Sequence, residues 1–259
     1  MAHVARKRFG QHFLSDRSVI EAILAAISPR PGERLVEIGP GLAALTDALL
    51  RRVPTLAAIE IDRDLAASLR RRYGERLALV EADVLTVDFR PLASEGPLRI
   101  VGNLPYNISS PLLVRLIDFR DCVVDQHFML QKEVVERIVS GHGGSGYGRL
   151  GVLLQAYYDV ESLFDVPPEA FDPPPRVDSA VVRMLPKARP ADVPPAVLSE
   201  LLAAAFSQRR KMLRGTLLPW LAARGVRAEM LEPTARPEDV PVEVYVELAG
   251  RLRSMSSSL

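Results

Sequence analysis

The chain has 259 residues, of which 48% are apolar and 25% are charged, and its formal net charge is +1. These values are typical of a globular chain with one large and one small domain, and they exclude the disordered and collagen-like classes. The longest apolar stretches are much shorter than the ~20 residues of a membrane-spanning helix, and the N-terminus has no apolar signal core. We therefore expect a cytoplasmic protein that has no membrane partner.

Short strands are predicted in the first half of the chain, separated by segments with helical spacing. The strands are RLVEIG (34–39), TLAAIEID (55–62), LALVEADV (77–84) and LRIVGN (98–103). The predicted helices are LAALTDALLRRV and RDLAASLRRRYG. This alternation predicts an α/β fold with a mostly parallel sheet, helices on both faces and right-handed crossovers.

The second half of the sequence continues the pattern of strands and helices and then becomes entirely helical. The predicted elements are a strand in DQHFMLQ, a helix in KEVVERIVS, a flexible loop in GHGGSGYG and a helix in LGVLLQAYY. Two final strands, DVESLFDVP and VDSAVVRMLP, are expected to pair antiparallel at the sheet edge. After the proline-rich PKARPADVPP, only helical patterns follow, in AVLSELLAAAFSQ, KMLRGTLLPWLAARG and PVEVYVELAGRLRS. We therefore predict an α/β domain at 1–186 and a small all-helical domain at 187–259.

The predicted strands end in polar or glycine residues. Ligands of parallel α/β sheets bind at the carboxyl ends of the strands, so these residues are expected along one rim: Gly39, Glu60, Asp83 and Asn103. The turn EIGPG is similar to a dinucleotide fingerprint, but Ala44 replaces its third glycine and Pro40 separates the first two, which disfavours a pyrophosphate ligand. A tight connection from strand to helix is the alternative.

Glu60 stands about 20 residues after the glycines, where a carboxylate can accept hydrogen bonds from both ribose hydroxyls. The alternative for Glu60 is a helix N-terminal acid, a role that Asp62 or Asp64 can also fill. Asp83 can accept a hydrogen bond from an adenine amino group. Together with Gly39, these carboxylates indicate a nucleoside cofactor without a diphosphate, and S-adenosylmethionine fits better than NAD.

The stretch NLPY at the end of the fourth strand suits an acceptor that is a conjugated amine. The side-chain oxygen of Asn103 and a main-chain carbonyl of Leu104 or Pro105 can accept hydrogen bonds from that amine, so its lone pair becomes available to a sulfonium methyl. Tyr106 can stack on a purine, an interaction worth ~1–3 kcal/mol. The alternative is a turn whose tyrosine plugs the core.

Cysteine and histidine usage argues against disulfide and metal chemistry. Cys122 is the single cysteine, and the four histidines have no metal-ligand spacing, so we expect no metal site. Basic residues concentrate in ARKRFG (5–10) and SQRRKMLRG (207–215). Each cluster is compatible with phosphate contacts or with a solvated helix face.

Eight sequence blocks extend over nearly the whole chain. They are RFGQHFL (8–14), EIGPGLAALT (37–46), IEID (59–62), EADVL (81–85), GNLPYNISSP (102–111), QKEVVERI (131–138), FDPPPRVDSAVV (171–182) and AFSQRRKMLR (205–214). In this order they resemble the small-subunit ribosomal RNA adenine N6,N6-dimethyltransferase family of the KsgA/RsmA type. The resemblance implies a Rossmann-like class I methyltransferase that methylates two adjacent adenosines near the 3′ end of 16S rRNA in the immature small subunit, with S-adenosylmethionine as methyl donor.

The resemblance also implies roles for single residues. The cofactor would be bound by His12, Leu14, Gly39, Glu60, Asp83 and Asn103. Family members often carry asparagine where this chain has His12, which favours a backbone contact there. Asn103 and Tyr106 would be the catalytic residues.

On the acceptor side, the resemblance implies that Phe171 packs against a flipped adenine opposite Tyr106. From its sequence context alone, Phe171 can equally be a core residue. The RNA would also be contacted by Arg209, Arg210 and Lys211. A monomer is expected, since the protein must dock on a ribosomal particle.

Other functions are compatible with parts of the sequence. An erythromycin-resistance type 23S rRNA adenine dimethyltransferase shares fold, cofactor and chemistry, but NLPYNISSP and RVDSAVV favour the small-subunit type. A non-catalytic RNA-binding assembly factor could keep the fold, although the intact EIGPG and NLPY motifs argue against it. A DNA adenine or protein-glutamine methyltransferase matches only the NLPY-like motif.

Overall fold

The structure, a computed structural model, describes residues 12–256. Its helices and strands, in chain order, are β1 (Phe13–Leu14), α1 (Arg17–Ile27), β2 (Arg34–Ile38), α2 (Ala44–Leu49), β3 (Leu56–Glu60), α3 (Arg63–Tyr73), β4 (Leu77–Glu81), β5 (Leu98–Asn103), α4 (Ser109–Leu116), β6 (Val123–Gln131), α5 (Lys132–Val139), α6 (Arg149–Gln155), β7 (Tyr158–Val166), β8 (Phe171–Asp172), β9 (Ser179–Pro186), α7 (Pro195–Ala205), α8 (Leu217–Ala222) and α9 (Val242–Ser256).

Seven strands form the main sheet, in the order β4-β3-β2-β5-β6-β9-β7. β2 pairs in parallel with both β3 and β5, and β5 pairs in parallel with β6. β9 is antiparallel to β6 and β7 lies at the edge, so the predicted mostly parallel sheet is confirmed. The strand order reverses between β2 and β5, which is where α/β sheets bind ligands.

A second, two-stranded sheet joins distant parts of the chain. β1 pairs antiparallel with β8, with Leu14 opposite Phe171. α1 follows β1 closely and is capped at its N-terminus by Asp16, whose carboxylate accepts from the main-chain N–H of Ser18 at 2.7 Å. The buried residues of α1 belong to the same apolar core as Val101 of β5 and Val181 of β9. Neither this small sheet nor α1 is among the elements predicted from the sequence.

The chain folds into two compact units. The first holds the described residues up to Val135 together with Glu161–Pro186, and the second holds Glu136–Val160 together with the residues from Lys187 onward. The domain division expected from the sequence differs in one respect, because it leaves 136–160 in the α/β part.

The segment 136–160 belongs to the second unit because buried groups tie it there. The fully buried Tyr147 donates its hydroxyl hydrogen to the carbonyl oxygen of Val240 at 2.8 Å. The main-chain N–H of Lys187 donates to the carbonyl of Tyr157 at 2.9 Å. The loop GHGGSGYG, predicted as flexible, is therefore anchored near its end by a buried side chain.

The second unit is helical, and its α7 and α9 pack on each other. The helix predicted over KMLRGTLLPWLAARG is wrong in its first part. Residues 213–215 form a single 3₁₀ turn, and Thr216 has φ −132° and ψ −79°, so α-helix begins only at Leu217.

Within residues 12–256, no helix is long and apolar enough to cross a membrane. The same residues contain no group of three or more His, Cys, Asp or Glu side chains placed to hold a metal ion. The basic cluster at 5–10 lies outside the described residues.

Candidate active site

A pocket of about 290 Å³ lies in the first unit, at the carboxyl ends of the parallel strands. Most of the site residues predicted from the sequence line it, namely His12, Leu14, Gly39, Glu60, Asp83, Asn103 and Tyr106. The fold thus brings together residues from five separate segments of the chain. Phe171 is not among the lining residues, and Arg209, Arg210 and Lys211 lie in the second unit.

The turn after β2 exposes main chain to the pocket. Gly39 has φ +67° and Gly41 has φ +58°, a backbone conformation that glycine adopts without strain. A Cβ atom at Gly41 would lie 3.1 Å from the ring of Phe13, so that ring would have to shift by a few tenths of an ångström. Both glycines line the pocket, so the turn presents main chain to a ligand.

Glu60, at the end of β3, is only 4% exposed. Its Oε2 accepts from the N–H of Gly41 at 3.2 Å, and its Oε1 accepts from the N–H of Asp62 at 2.8 Å. Burial raises the pKa of the Glu60 carboxyl, and these N–H donors oppose that effect. A carboxylate has about four lone-pair sites, so Glu60 retains acceptor capacity in the pocket.

The helix-cap alternative for Glu60 is wrong, because Asp62 has that role. The Asp62 Oδ1 accepts from the main-chain N–H of Asp64 at 3.0 Å at the start of α3. Asp83 lies two residues after the end of β4, accepts from the N–H of Leu85 at 2.9 Å and lines the pocket.

β5 places Asn103 beside the point where the strand order reverses. At Gly102, which precedes it, a Cβ atom would lie 2.6 Å from the carbonyl oxygen of Ile38, so glycine is needed for β5 to approach β2 this closely. The Asn103 Nδ2 donates to the main-chain carbonyl of His12 at 3.0 Å. Its Oδ1 accepts no hydrogen bond from the described residues, so it is available to a ligand.

The main chain after Asn103 distinguishes the two carbonyls that the sequence left open. The Pro105 carbonyl accepts from the N–H of Ile108 at 3.1 Å. Leu104 donates its N–H to the carbonyl of Met129 at 3.1 Å, and its own carbonyl accepts no hydrogen bond within residues 12–256. Leu104 is therefore the carbonyl that can serve as a second acceptor beside Asn103.

Tyr106 is hydrogen-bonded through its hydroxyl, and its ring stacks on another ring. The hydroxyl lies 3.0 Å from Oγ of the fully buried Ser179. The ring stacks with that of His12, at 5.8 Å between centroids and 26° between planes. Burial raises the pKa of Tyr106, and the Ser179 hydrogen bond opposes this. Tyr106 is only half-buried and lines the pocket, which argues against the interpretation as a core plug.

Phe171 differs from its predicted role. It is 4% exposed and belongs to the apolar core of the first unit, because the pairing of β8 with β1 brings it beside Leu14. The structure thus agrees with the alternative in which Phe171 is a core residue, and it gives no support to a wall opposite Tyr106.

The predicted RNA-contacting residues divide into two kinds. Arg209 is occupied within the second unit, because it donates to the carboxylate of Glu238 at 2.7 Å and to the carbonyl of Ser145 at 2.5 Å. Arg210 and Lys211 are exposed, and neither has an ion-pair partner in the described part of the chain. These two cations are the ones available to a phosphate.

Two groups of the site were missed by sequence reasoning. Glu37 is 2% exposed in β2, lines the pocket, and accepts from the Thr46 hydroxyl at 2.7 Å. Burial, helped by the charges of Glu60 and Asp47, raises the pKa of Glu37 to about 8. An acid inside the apolar run RLVEI is the signal that could have revealed it. Ser179 is the other, and it holds the Tyr106 hydroxyl.

Comparison with known proteins decides the family. The family model "Ribosomal RNA adenine dimethylase" matches residues 2–251. The chain belongs to the ribosomal RNA adenine dimethylase family. As a member of this family it is an enzyme that dimethylates adenine in ribosomal RNA.

Among relatives of this dimethylase, two bacterial proteins illustrate the similarity. It is 59% identical to ribosomal RNA small subunit methyltransferase A of Methylibium petroleiphilum, over 96% of this chain and 97% of that protein. It is 56% identical to the protein of the same name from Leptothrix cholodnii, over 100% of this chain and 96% of that protein.

Solved structures agree on the fold of the dimethylase. A dimethyladenosine transferase from Plasmodium falciparum has a TM-score of 0.79 at 24% identity, covering 95% of this chain and 98% of that one. The 23S rRNA methyltransferase ErmE has a TM-score of 0.69 at 26% identity, covering 93% of this chain and 99% of that one. The predicted class I methyltransferase fold with a helical C-terminal region is confirmed.

Proposed function

We propose that this enzyme uses S-adenosylmethionine to dimethylate N6 of two adjacent adenosines near the 3′ end of 16S rRNA, acting as a monomer on the immature small subunit. The Asn103 amide is the observation that carries the proposal, because its nitrogen is committed to His12 while its oxygen is open to the pocket. The choice of the small subunit draws on relatives at 56–59% identity that carry that name, against 26% for ErmE.

The chemistry of the pocket residues fits S-adenosylmethionine. Glu60 has lone pairs left for the ribose hydroxyls, and Asp83 has a second oxygen for the adenine amino group. The open main chain at Gly39 suits the methionine end, and Leu14 lies in the same lining. When bound, the cofactor supplies an electrophilic methyl group on a sulfonium sulfur.

Asn103 and Leu104 act on the acceptor amine. The N6 lone pair of adenine is delocalised into the ring, so the amine is a poor nucleophile. Two oxygens, Asn103 Oδ1 and the Leu104 carbonyl, accept its two hydrogens and favour a pyramidal nitrogen whose lone pair is free. The methylated nitrogen then loses a proton readily, so no strong general base is needed. For the second transfer, one hydrogen and therefore one of these acceptors suffices.

Tyr106 and the second unit contact the RNA substrate. Tyr106 stacks on the target adenine after it leaves the RNA stack, which offsets part of the cost of unstacking. Arg210 and Lys211 contact RNA phosphates outside the pocket. Because the substrate is an immature particle, methylation is coupled to small-subunit maturation.

The decisive experiment supplies labelled cofactor and unmethylated small or large ribosomal subunits to the protein. The modified bases are then mapped by blocked reverse transcription. We expect label in the small subunit, at two adjacent adenosines near the 3′ end of its RNA. Label in the large subunit would identify an enzyme of the 23S type, and particle binding without label would identify an assembly factor.

A further inference from the structure

We propose that Arg99 is a positioning residue for methyl transfer. It attaches the C-terminal end of α1 to β5 and thereby fixes, at the other end of the same segment, the His12 carbonyl that orients Asn103. The inference rests on the proposed function and deepens it, because it gives the catalytic amide a second and distant support. Arg99 does not line the pocket, so any effect it has on the reaction passes through other residues.

Arg99 is only 9% exposed, and it uses all five N–H donors of its guanidinium. Nε and Nη2 donate to the two carboxylate oxygens of Asp125, at 2.9 and 2.7 Å. Nη1 donates to the Glu33 carboxylate at 2.6 Å and to the carbonyl of Ser28 at 3.5 Å. Nη2 also donates to the carbonyl of Ile27 at 2.5 Å. A buried side chain whose donors are all used holds its partners in one geometry.

The two carbonyls that Arg99 binds lie at the C-terminal end of α1. The last carbonyls of a helix have no partner within it, and a cation beside them also interacts favourably with the helix dipole. Ser28 has φ 47° and ψ 58°, so the helix ends there. Arg99 thus supplies partners to this helix end, while Asp125, which is opposite it on β6, orients the guanidinium.

β5 holds the segment between His12 and Ser28 at both of its ends. Arg99 and Asn103 are four residues apart on β5, so their side chains leave the same face of the sheet. Asn103 donates to the carbonyl before β1, and Arg99 donates to the carbonyls at the end of α1. The 11 residues of α1 span about 16 Å, and four residues of strand span about 13 Å. The helix therefore extends alongside β5 from one attachment to the other.

Packing between the two attachments links their positions. Val101, which lies between Arg99 and Asn103 on the same face of β5, shares an apolar core with the buried residues of α1, which are Ile20, Ile23, Leu24 and Ile27. A packed helix that is released at one end can slide by a small amount as a unit. Such a shift would move the His12 carbonyl relative to Asn103, and misplacement by about 1 Å can cost up to about 100-fold in rate.

A double-mutant cycle tests the link between Arg99 and Asn103. Arg99→Lys keeps the charge beside Asp125 but presents a single nitrogen, which cannot reach both carboxylates and both carbonyls at once. Single-turnover methyl transfer is measured with unmethylated small subunits and saturating labelled cofactor. We expect Arg99→Lys to slow transfer about tenfold in the wild-type background, and less than about twofold in the Asn103→Ala background. A residue that acts through an amide loses its effect when that amide is absent, whereas a general loss of stability lowers both rates equally.

Phe119→Leu provides a control for a general loss of stability. Phe119 is 5% exposed, lies in the same unit, packs on Phe89 and does not line the pocket. The variant should unfold at lower urea concentration and transfer methyl groups at the wild-type rate. Amide hydrogen exchange gives a readout that needs no activity. Exchange at residues 13–16 should be about tenfold faster in Arg99→Lys than in wild type, and unchanged in Phe119→Leu.

Three outcomes overturn the inference. They are a rate near wild type for Arg99→Lys, an equal loss in both backgrounds, and faster exchange confined to residues 26–28, which would make the attachment a local one. Wild-type protein tests the proposed function separately. If it methylates only large subunits, the proposed function fails and the cycle is measured with that substrate. If it methylates neither subunit, the proposed function fails and hydrogen exchange alone decides whether Arg99 positions the residues before α1.

Discussion

The side-chain amide of Asn103 donates to the main-chain carbonyl of His12 at 3.0 Å, across 91 positions of sequence. This bond fixes which end of the amide is oxygen and which is nitrogen at the pocket. A lone asparagine at a strand end could present either group. The tertiary contact leaves it an acceptor, which is what an amine substrate requires.

Removing that amide is expected to abolish most of the methyl transfer. For Asn103→Ala we expect a loss of roughly 100-fold or more in single-turnover rate, because one preorganised polar contact to the reacting amine disappears. The cofactor dissociation constant should change little, since the Glu60 and Gly41 contacts are intact. Single-turnover kinetics with labelled cofactor measure both.

Asn107→Ala provides the comparison for this variant. It deletes the same side chain four positions later in the same loop, and the Asn107 amide makes no hydrogen bond within the described residues. Its rate loss should be far smaller. A near-normal rate for Asn103→Ala would contradict the proposed mechanism.

Substitution of Phe171 should act on stability. Phe171→Ala is expected to lower the free energy of unfolding by ~3–5 kcal/mol, as deletion of a buried aromatic ring does. Phe171→Leu should lose less and remain folded. Urea unfolding measures the stabilities, and the acceptor KM of the folded Leu variant should stay near wild type. A raised acceptor KM in the folded Leu variant would show that Phe171 contacts the target adenine.

Glu37 makes the stability of the protein depend on pH. Its folded-state pKa of about 8 lies above the ordinary value of 4.5, so the buried carboxyl is favoured in its neutral form. The stability it contributes is full below pH 4.5 and is lost as pH rises towards 8, by up to ~1.4 kcal/mol per pH unit.

Glu37→Gln should remove this dependence. The variant should lose less stability than wild type between pH 5 and 8, as measured by urea unfolding at a series of pH values. The control is Glu75→Gln, an exposed glutamate in the same unit, which should leave the pH profile as it is. Parallel profiles for wild type and Glu37→Gln would show that the Glu37 carboxyl ionises normally.

The basic cluster of the second unit should divide into binding and structural residues. Neutralising Arg210 and Lys211 together is expected to weaken binding to the ribosomal particle and to reduce the slope of log K against log salt by about 1–2. Arg209→Gln should lower the stability of the second unit, because Glu238 and Ser145 lose their partner. Filter binding across salt concentrations and thermal unfolding distinguish the two effects. An unchanged salt slope in the double variant would mean that these cations form a solvated face.

The sequence by itself determined the α/β alternation and the rim of the sheet. Strand periodicity and the glycine turn are local properties, and the rule that ligands bind at the carboxyl ends of parallel strands converts them into positions. Local pattern therefore suffices to predict that Gly39, Glu60, Asp83 and Asn103 share one rim, and all four line the pocket. The family resemblance extended the same reasoning to Leu14.

Only the tertiary structure decided what each side chain contacts. His12 meets Pro173 across 161 positions, and Arg209 meets Glu238 across 29. No local pattern encodes such pairs, because they form only when distant segments pack together. The same packing buries Phe171, whose sequence context is compatible with both a core and a substrate-facing position. Residue types and strand ends fix the chemistry that is possible, and long-range packing selects the atoms that perform it.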